Sequence, residues 1–229
     1  MSNPLLEFFH QPDHRLILKW KHYFDIYHRH FKHYRDKEVT IVEIGVFHGG
    51  SLQMWKNYFG PRARIIGVDI NPACKQFEED QIEIAIGSQE DERFLKQLAD
   101  FSGPIDVLID DGGHMMKQQL TTFAHLYPKV KDFGTYLVED LHTSYKPGYG
   151  GGLKEATFIN FAKKVLDQMH SWYSDELTVD FLTRSVYSMH CYDSIIVFDK
   201  RPVDVPTSIQ NGTETEGIYD IIPNIKQSK

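Results

Sequence analysis

The chain has 229 residues, a hydrophobic fraction of 41%, a charged fraction of 25% and a formal net charge of −7. This length suits one sizeable domain with a full core and is short for two. The acidic balance argues against a general nucleic-acid binder, which carries a basic stripe, and no apolar run approaches the roughly 20 residues needed to cross a bilayer.

Residues 14–34 come first. Leu16, Trp20, Tyr23, Phe24, Tyr27, Phe31 and Tyr34 recur at helical spacing, which predicts one amphipathic helix started by Pro12-Asp13. Strands are then predicted at 40–44, 64–70, 83–86, 105–109 and 136–138, with helices near 52–59, 93–100, 116–127 and 158–172 between and after them. Alternation of this kind implies a parallel sheet covered on both faces. Residues 185–192 and 195–200, joined by Asp193-Ser194, read as a closing antiparallel hairpin.

The expected organisation is an N-terminal helical extension over 1–38, a cap or oligomer contact. A single α/β domain follows over 39–200, and a loosely packed tail over 201–229. Cys74 and Cys191 follow no metal-ligand spacing and form no disulfide framework. The start lacks a basic segment and apolar run, so a soluble cytoplasmic protein is expected. His10, His14, His22, His28, His30 and His33 spread around a helix axis, and solvated or hydrogen-bonded roles suit them better than metal ligation. The Gly148-Tyr149-Gly150-Gly151-Gly152 loop reads as a mobile lid or a flexible link.

Three successive strand ends carry ligand-type chemistry. Val42-Glu43-Ile44-Gly45 runs through Val46-Phe47-His48 into Gly49-Gly50-Ser51, where glycines let a backbone approach closely. The spacing is not G-x-G-x-x-G, and Glu43 precedes the first glycine, which counts against a dinucleotide. Asp69 ends the second strand, placed to accept hydrogen bonds from ribose hydroxyls. Ser88 and Gln89 end the third, with a hydroxyl and an amide suited to an adenine edge. Each alone is ordinary turn or cap chemistry. Together, beyond the carboxyl ends of consecutive strands, they point to a nucleoside-type cofactor.

Two acidic clusters follow apolar runs: Asp110-Asp111-Gly112-Gly113-His114 and Glu139-Asp140-Leu141-His142. Neighbouring strands lie about 4.8 Å apart, so Asp111 and the Glu139-Asp140 pair could reach one ion. Carboxylate ligands favour a hard cation such as Mg²⁺ or Mn²⁺. Consecutive strand residues face opposite sides, so Glu139 and Asp140 can both ligate only if the strand ends between them.

These motifs, with Gly67-Val68-Asp69-Ile70, Glu139-Asp140-Leu141-His142-Thr143-Ser144-Tyr145 and His190-Cys191-Tyr192-Asp193-Ser194, resemble class I S-adenosylmethionine-dependent methyltransferases. They are most similar to the metal-dependent sugar O-methyltransferases of the macrocin and mycinamicin type, over about residues 20–200. The resemblance implies a Rossmann-like, seven-stranded, mostly parallel sheet, and an O-methyltransferase acting on a sugar hydroxyl of a glycosylated natural product or glycan. It implies S-adenosyl-L-methionine bound by Glu43, Gly45, Gly49 and Ser51, with Asp69 on the ribose and Asp110 among the cofactor contacts. Relatives often carry Asp where Ser88 stands, which leaves the adenine contact to Ser88, Gln89 or the backbone.

The same resemblance implies Mg²⁺ or Mn²⁺ on Asp111, Glu139 and Asp140, His114 as general base, and His142 and Tyr145 near the substrate. Homo-oligomers are expected, with no nucleic-acid or membrane partner. A catechol-type enzyme is the nearest alternative, although that family employs a lysine base where His114 stands here. A non-catalytic cofactor-binding protein of the same fold is the other.

Overall fold

The computed structural model describes residues 3–213 and 215. A seven-stranded sheet forms from β1 (Val39–Ile44), β2 (Ala63–Asp69), β3 (Ile82–Ile86), β4 (Ile105–Asp110), β5 (Val130–Val138), β6 (Val186–Tyr192) and β7 (Ile195–Lys200). Its order is β3-β2-β1-β4-β5-β7-β6. The first five strands run parallel, and β7 enters antiparallel to both β5 and β6. The chain therefore reverses direction across the sheet between β1 and β4. In open α/β sheets that reversal leaves a crevice beyond the carboxyl ends of the strands.

Side-chain alternation sorts the strands into two cores. Ile41, Ile65, Val107, Ile109, Leu137 and Val197 face one layer. Val42, Ile66, Leu108, Tyr136, Val138 and Phe198 face the other. Each fully buried aliphatic side chain contributes roughly 1.5–3 kcal/mol. The second layer is covered by α4 (Glu92–Ser102), α5 (Met116–Leu126) and α6 (Phe158–Met169).

The first layer is built from α1 (Pro4–Phe9), α2 (Tyr23–Phe31) and α3 (Gly50–Phe59). Leu5, Tyr23, Tyr27, Phe31 and Trp55 are buried together there. Residues expected to form an extension thus complete the core.

The single helix expected over 14–34 is not formed. Residues 15–20 run as an extended strap, and helix begins only at Tyr23. Burial alternates along the strap: Ile17 is buried, whereas Leu18 is 76% and Trp20 56% exposed. That is a period of two, not 3.6, set by the surface on which the strap lies. Gly50 is required beneath it, because a Cβ there would stand 2.3 Å from Arg15 O and 2.4 Å from Leu16 O.

The strand predicted at 136–138 starts instead at Val130. Ile105 pairs with Val130 but Val107 pairs with Thr135, so β5 bulges between them around Phe133, whose φ is +70°. The glycine-rich loop is tied down. Gly151 N donates to Lys146 O at 3.0 Å and Gly152 N to Ser144 O at 2.8 Å. Residues 201–213 have no regular secondary structure, and the rest of the expected tail, 214 and 216–229, lies outside the described residues. No described helix is long and apolar enough to cross a membrane.

His30, on α2, is buried and bonds Tyr192 OH at 2.8 Å. His190 bonds Asp199 at 3.1 Å beside it. Donor atoms of His30, His190 and Asp199 lie within 4.8 Å of one another, but Arg29, Lys200 and Arg201 line the same cavity. Their positive charge opposes a cation, so hydrogen bonding is the role the surroundings support.

Burial holds His30 down at about 4, the neighbouring Asp199 offsetting only part of the effect. An unfolded histidine takes up its proton near pH 6.5. Between these values the unfolded chain binds the extra proton, so His30 adds stability that is intact above about pH 6.5 and lost as the pH falls toward 4. Discounted for partial solvent access, this is on the order of 1 kcal/mol. His30→Gln is expected to flatten the acid arm of a plot of Tm against pH. An acid arm as steep as in the parent chain would remove His30 as its source.

Candidate active site

The strand ends place most of the expected residues around two joined cavities. The first, of about 310 Å³, is lined by Gly45, Ser51, Asp69, Ser88, Gln89, Asp111 and Gly112, with Ile17, Leu18 and Lys19 of the strap as roof. Asp69 Oδ2 accepts from Val46 N at 3.0 Å and Phe47 N at 3.2 Å, and Oδ1 from Asn71 N at 2.8 Å. It thereby fixes the loop between β1 and α3 and still presents lone pairs to the groove. Ser88 Oγ accepts from Glu90 N at 3.2 Å, leaving its O–H to donate.

Gln89 is otherwise engaged. Its Nε2 donates to Asp110 Oδ1 and Thr122 Oγ1, and its Oε1 accepts from Gly113 N. An amide spent in this way does not read an adenine edge.

Three residues expected at the cofactor stand behind the groove wall. Asp110 is fully buried and takes hydrogen bonds from Gln89 and Tyr136 OH. Glu43 is fully buried and accepts from Ser51 Oγ at 2.6 Å. Gly49 adopts φ +74° directly before α3, and a Cβ there would meet Phe77 at 2.9 Å. Gly45, at φ +96°, packs against the Asp111 carbonyl, where a Cβ would come within 2.0 Å. Neither position therefore has room for a side chain.

The second cavity, about 630 Å³, is lined by Asp111, Gly112, His114, Glu139 and Asp140, and on the strap side by Leu18, Lys19, Trp20 and Tyr23. The break required between Glu139 and Asp140 is present. β5 ends at Val138, Glu139 N still reaches Asp110 O at 2.9 Å, and Asp140 turns into the left-handed region at φ +55°. Aspartate tolerates that conformation better than most residues.

With the break, both carboxylates line the second cavity and take different partners. Asp140 Oδ1 accepts from Tyr23 OH at 2.7 Å, while Oδ2 lies 3.4 Å from His114 Nε2. Glu139 is buried and accepts from Tyr27 OH at 2.7 Å. One donor atom each from Asp111, His114 and Asp140 falls within 4.8 Å of the others. His142 bonds Ser194 Oγ at 2.7 Å and meets the Trp20 ring, and Tyr145 is exposed. Neither lines the two cavities.

Lys19, absent from the sequence-based expectations, lies at the centre. Its Nζ is 2.5 Å from Asp111 Oδ2, 3.1 Å from each Glu139 oxygen and 3.5 Å from Glu43 Oε1. Burial alone would pull the ammonium down, but Asp111, Glu139 and Glu43 hold it well above the usual lysine range. Burial, with the Asp111 charge next, raises Glu139 well above a normal carboxyl, and burial raises Glu43 as well. Removing the cation, and so leaving these buried carboxylates without their counter-charge, typically costs about 3–5 kcal/mol. Tyr23 and Tyr27, counted in the sequence only as apolar helix positions, add phenol donors four residues apart on one face of α2.

Comparison with known proteins bears on this geometry. A family model described as a methyltransferase domain matches residues 42–141. The 8-demethyl-8-(2-methoxy-alpha-L-rhamnosyl)-tetracenomycin-C 3'-O-methyltransferase of Streptomyces olivaceus is 37% identical over 195 residues, 79% of this chain and 50% of that protein. The mycinamicin VI 2''-O-methyltransferase of Micromonospora griseorubida is 34% identical over 209 residues, 82% and 51% of the two chains. The chain is a homologue of the macrocin- and mycinamicin-type sugar O-methyltransferases.

It spans about half the length of these relatives. A solved structure of the MycE methyltransferase from the mycinamycin biosynthetic pathway, in complex with Mg, SAH and mycinamycin VI, superposes with a TM-score of 0.77 at 32% identity. The match covers 88% of this homologue and 53% of that chain. The Rossmann-like methyltransferase fold, a seven-stranded, mostly parallel sheet with a closing antiparallel hairpin, is therefore the one the sequence implied.

Proposed function

We propose that the chain transfers a methyl group from S-adenosyl-L-methionine to a sugar hydroxyl of a glycosylated natural product, assisted by a divalent metal. The observation that carries this reading is the junction of the two cavities. Asp111 and Gly112 line both, so a groove suited to a nucleoside opens directly onto the Asp111–His114–Asp140 cluster. The names of the relatives, and the Mg and SAH in the MycE complex, support it.

The residues fit a hard cation. Carboxylate oxygens dominate the donor set, and Glu43 Oε1 and His114 Nδ1 are buried without a hydrogen-bond partner. Asp111 and Asp140 would hold the ion from the ends of β4 and β5, with Glu139 between them. Bound there, a divalent ion lowers the pKa of an acceptor hydroxyl and orients it. The cofactor supplies the methyl group from its sulfonium.

His114 Nε2, beside both carboxylates, takes the hydroxyl proton. Asp69 and Ser88 hold the nucleoside. Leu18 and Trp20, from the strap, line the second cavity on its open side. Lys19 does not revive a catechol-type lysine base: an ammonium held protonated by Asp111 and Glu139 cannot accept a proton near neutrality.

The test is methyl transfer to a panel of polyketide and macrolide glycosides with free sugar hydroxyls, followed by mass spectrometry. Product is expected with Mg²⁺, lost in chelator and restored by Mg²⁺ or Mn²⁺. Undiminished product in chelator would remove the metal role. Tight SAH binding without methylation of any glycoside would favour a non-catalytic cofactor binder.

A further inference from the structure

The position of Lys19 has a consequence for metal binding. Its ammonium contacts Asp111 Oδ2 and both Glu139 oxygens, on two of the carboxylates that would hold a divalent ion on the reading above. The side chain is 3% exposed, so no bulk water intervenes. One positive charge faces three carboxylates, Glu43, Asp111 and Glu139, and neutralises them only in part. Two cations a few ångströms apart in such a poorly screened place repel strongly. An ammonium and a metal drawing on the same carboxylates would therefore do so at each other's expense.

The strap is built to deliver this charge. Arg15 anchors one end, through Glu79 at 3.0 Å and by its backbone N–H to Gln53 Oε1 at 3.0 Å. Gly50 lets the backbone lie flat on α3. The extended alternation then turns Ile17 and Lys19 inward, leaving Leu18 and Trp20 outward.

We propose that Lys19 is an internal counter-ion that competes with the divalent metal for Asp111 and Glu139. It holds the carboxylates together in the metal-free protein, yields their oxygens when the ion arrives, and so sets the metal affinity of the site. This rests on the metal-assisted reading above.

Mn²⁺ titration by calorimetry, on the full chain without acceptor, tests it. Lys19→Met and Lys19→Gln are each expected to bind Mn²⁺ at least about tenfold more tightly than the parent. Both should lose Tm in the absence of metal and regain it with Mn²⁺, by a larger increment than the parent shows. Asp111→Asn added to Lys19→Met should abolish the gained affinity, which ties the titrated ion to this cluster. If Lys19→Met proves insoluble without metal, purification in Mn²⁺ followed by chelator competition reads the same affinity.

Equal or weaker Mn²⁺ binding by the folded variants would overturn the counter-ion role and leave the metal reading standing, because the parent still binds. Binding by the variants but not the parent would confirm competition and instead overturn metal assistance in the native chain. Absence of binding in all of them would overturn both.

Discussion

Replacing Asp111 by asparagine is expected to cut methyl transfer by on the order of a thousandfold, equivalent to about 4 kcal/mol of transition-state stabilisation, while SAH affinity stays within a few-fold. The contrast follows from the separate roles of backbone and side chain. Asp111 N donates to Ile44 O at 2.9 Å, and its carbonyl packs against Gly45, so the main chain joins β1 to β4 at the crevice. Asparagine keeps that backbone and the side-chain volume. What it removes is the charge shared by Lys19, by His114 and by any ion in the cluster.

Stability should not fall with activity. The carboxylates outnumber the ammonium, and the charge of Asp111 helps push Glu139 upward. Neutralising Asp111 relieves that repulsion even as it weakens one contact of Lys19. Tm is therefore expected to hold or rise, and calorimetry with turnover assays separates the two effects. Metal-stimulated turnover at the parent rate would exclude Asp111 from the reaction. A collapse in Tm would make its role structural.

The parallel half of the sheet was legible because its strands are buried on both faces and bounded by turns. Runs such as Val107-Leu108-Ile109 announce themselves without reference to distant partners. The acidic strand ends were legible for the same reason, since a carboxylate directly after a buried run has few structural uses. Long-range compensation hid the rest. Lys19 is 92 residues from Asp111 and 120 from Glu139, and no local pattern records such a pair.

The apolar residues flanking Lys19 matched a helical period by coincidence with Tyr23, Tyr27 and Phe31 further on. The inward alternation of Ile17 and Lys19 was the signal available. Gln89 misled differently: its amide suits a ligand, but the buried Asp110 and Thr122 behind it consume its donors. The first half of β5 was obscured by a bulge that interrupts its alternation with Lys131, Asp132 and Gly134.

His114→Ala is expected to lower kcat by about 10²–10⁴-fold with little change in SAH affinity, and it decides between two roles that the geometry brings together. Nε2 faces Asp140 at 3.4 Å and Asp111 at 3.9 Å, while Nδ1 is buried without a partner. With the proton on Nε2, that nitrogen has no lone pair with which to act as a base. Were Asp140 and Asp111 engaged by an ion, the tautomer with Nε2 free to accept would become available.

On this account the imidazole contributes to proton transfer more than to metal affinity. The alanine variant should keep Mn²⁺ affinity near that of the parent, and added imidazole should restore part of kcat through the open cavity. If His114 is instead a ligand, Mn²⁺ affinity drops with kcat, and restoring turnover requires more metal rather than imidazole. The backbone at His114 is left-handed, φ +57°, and the ring lines the second cavity with Asp111 and Asp140.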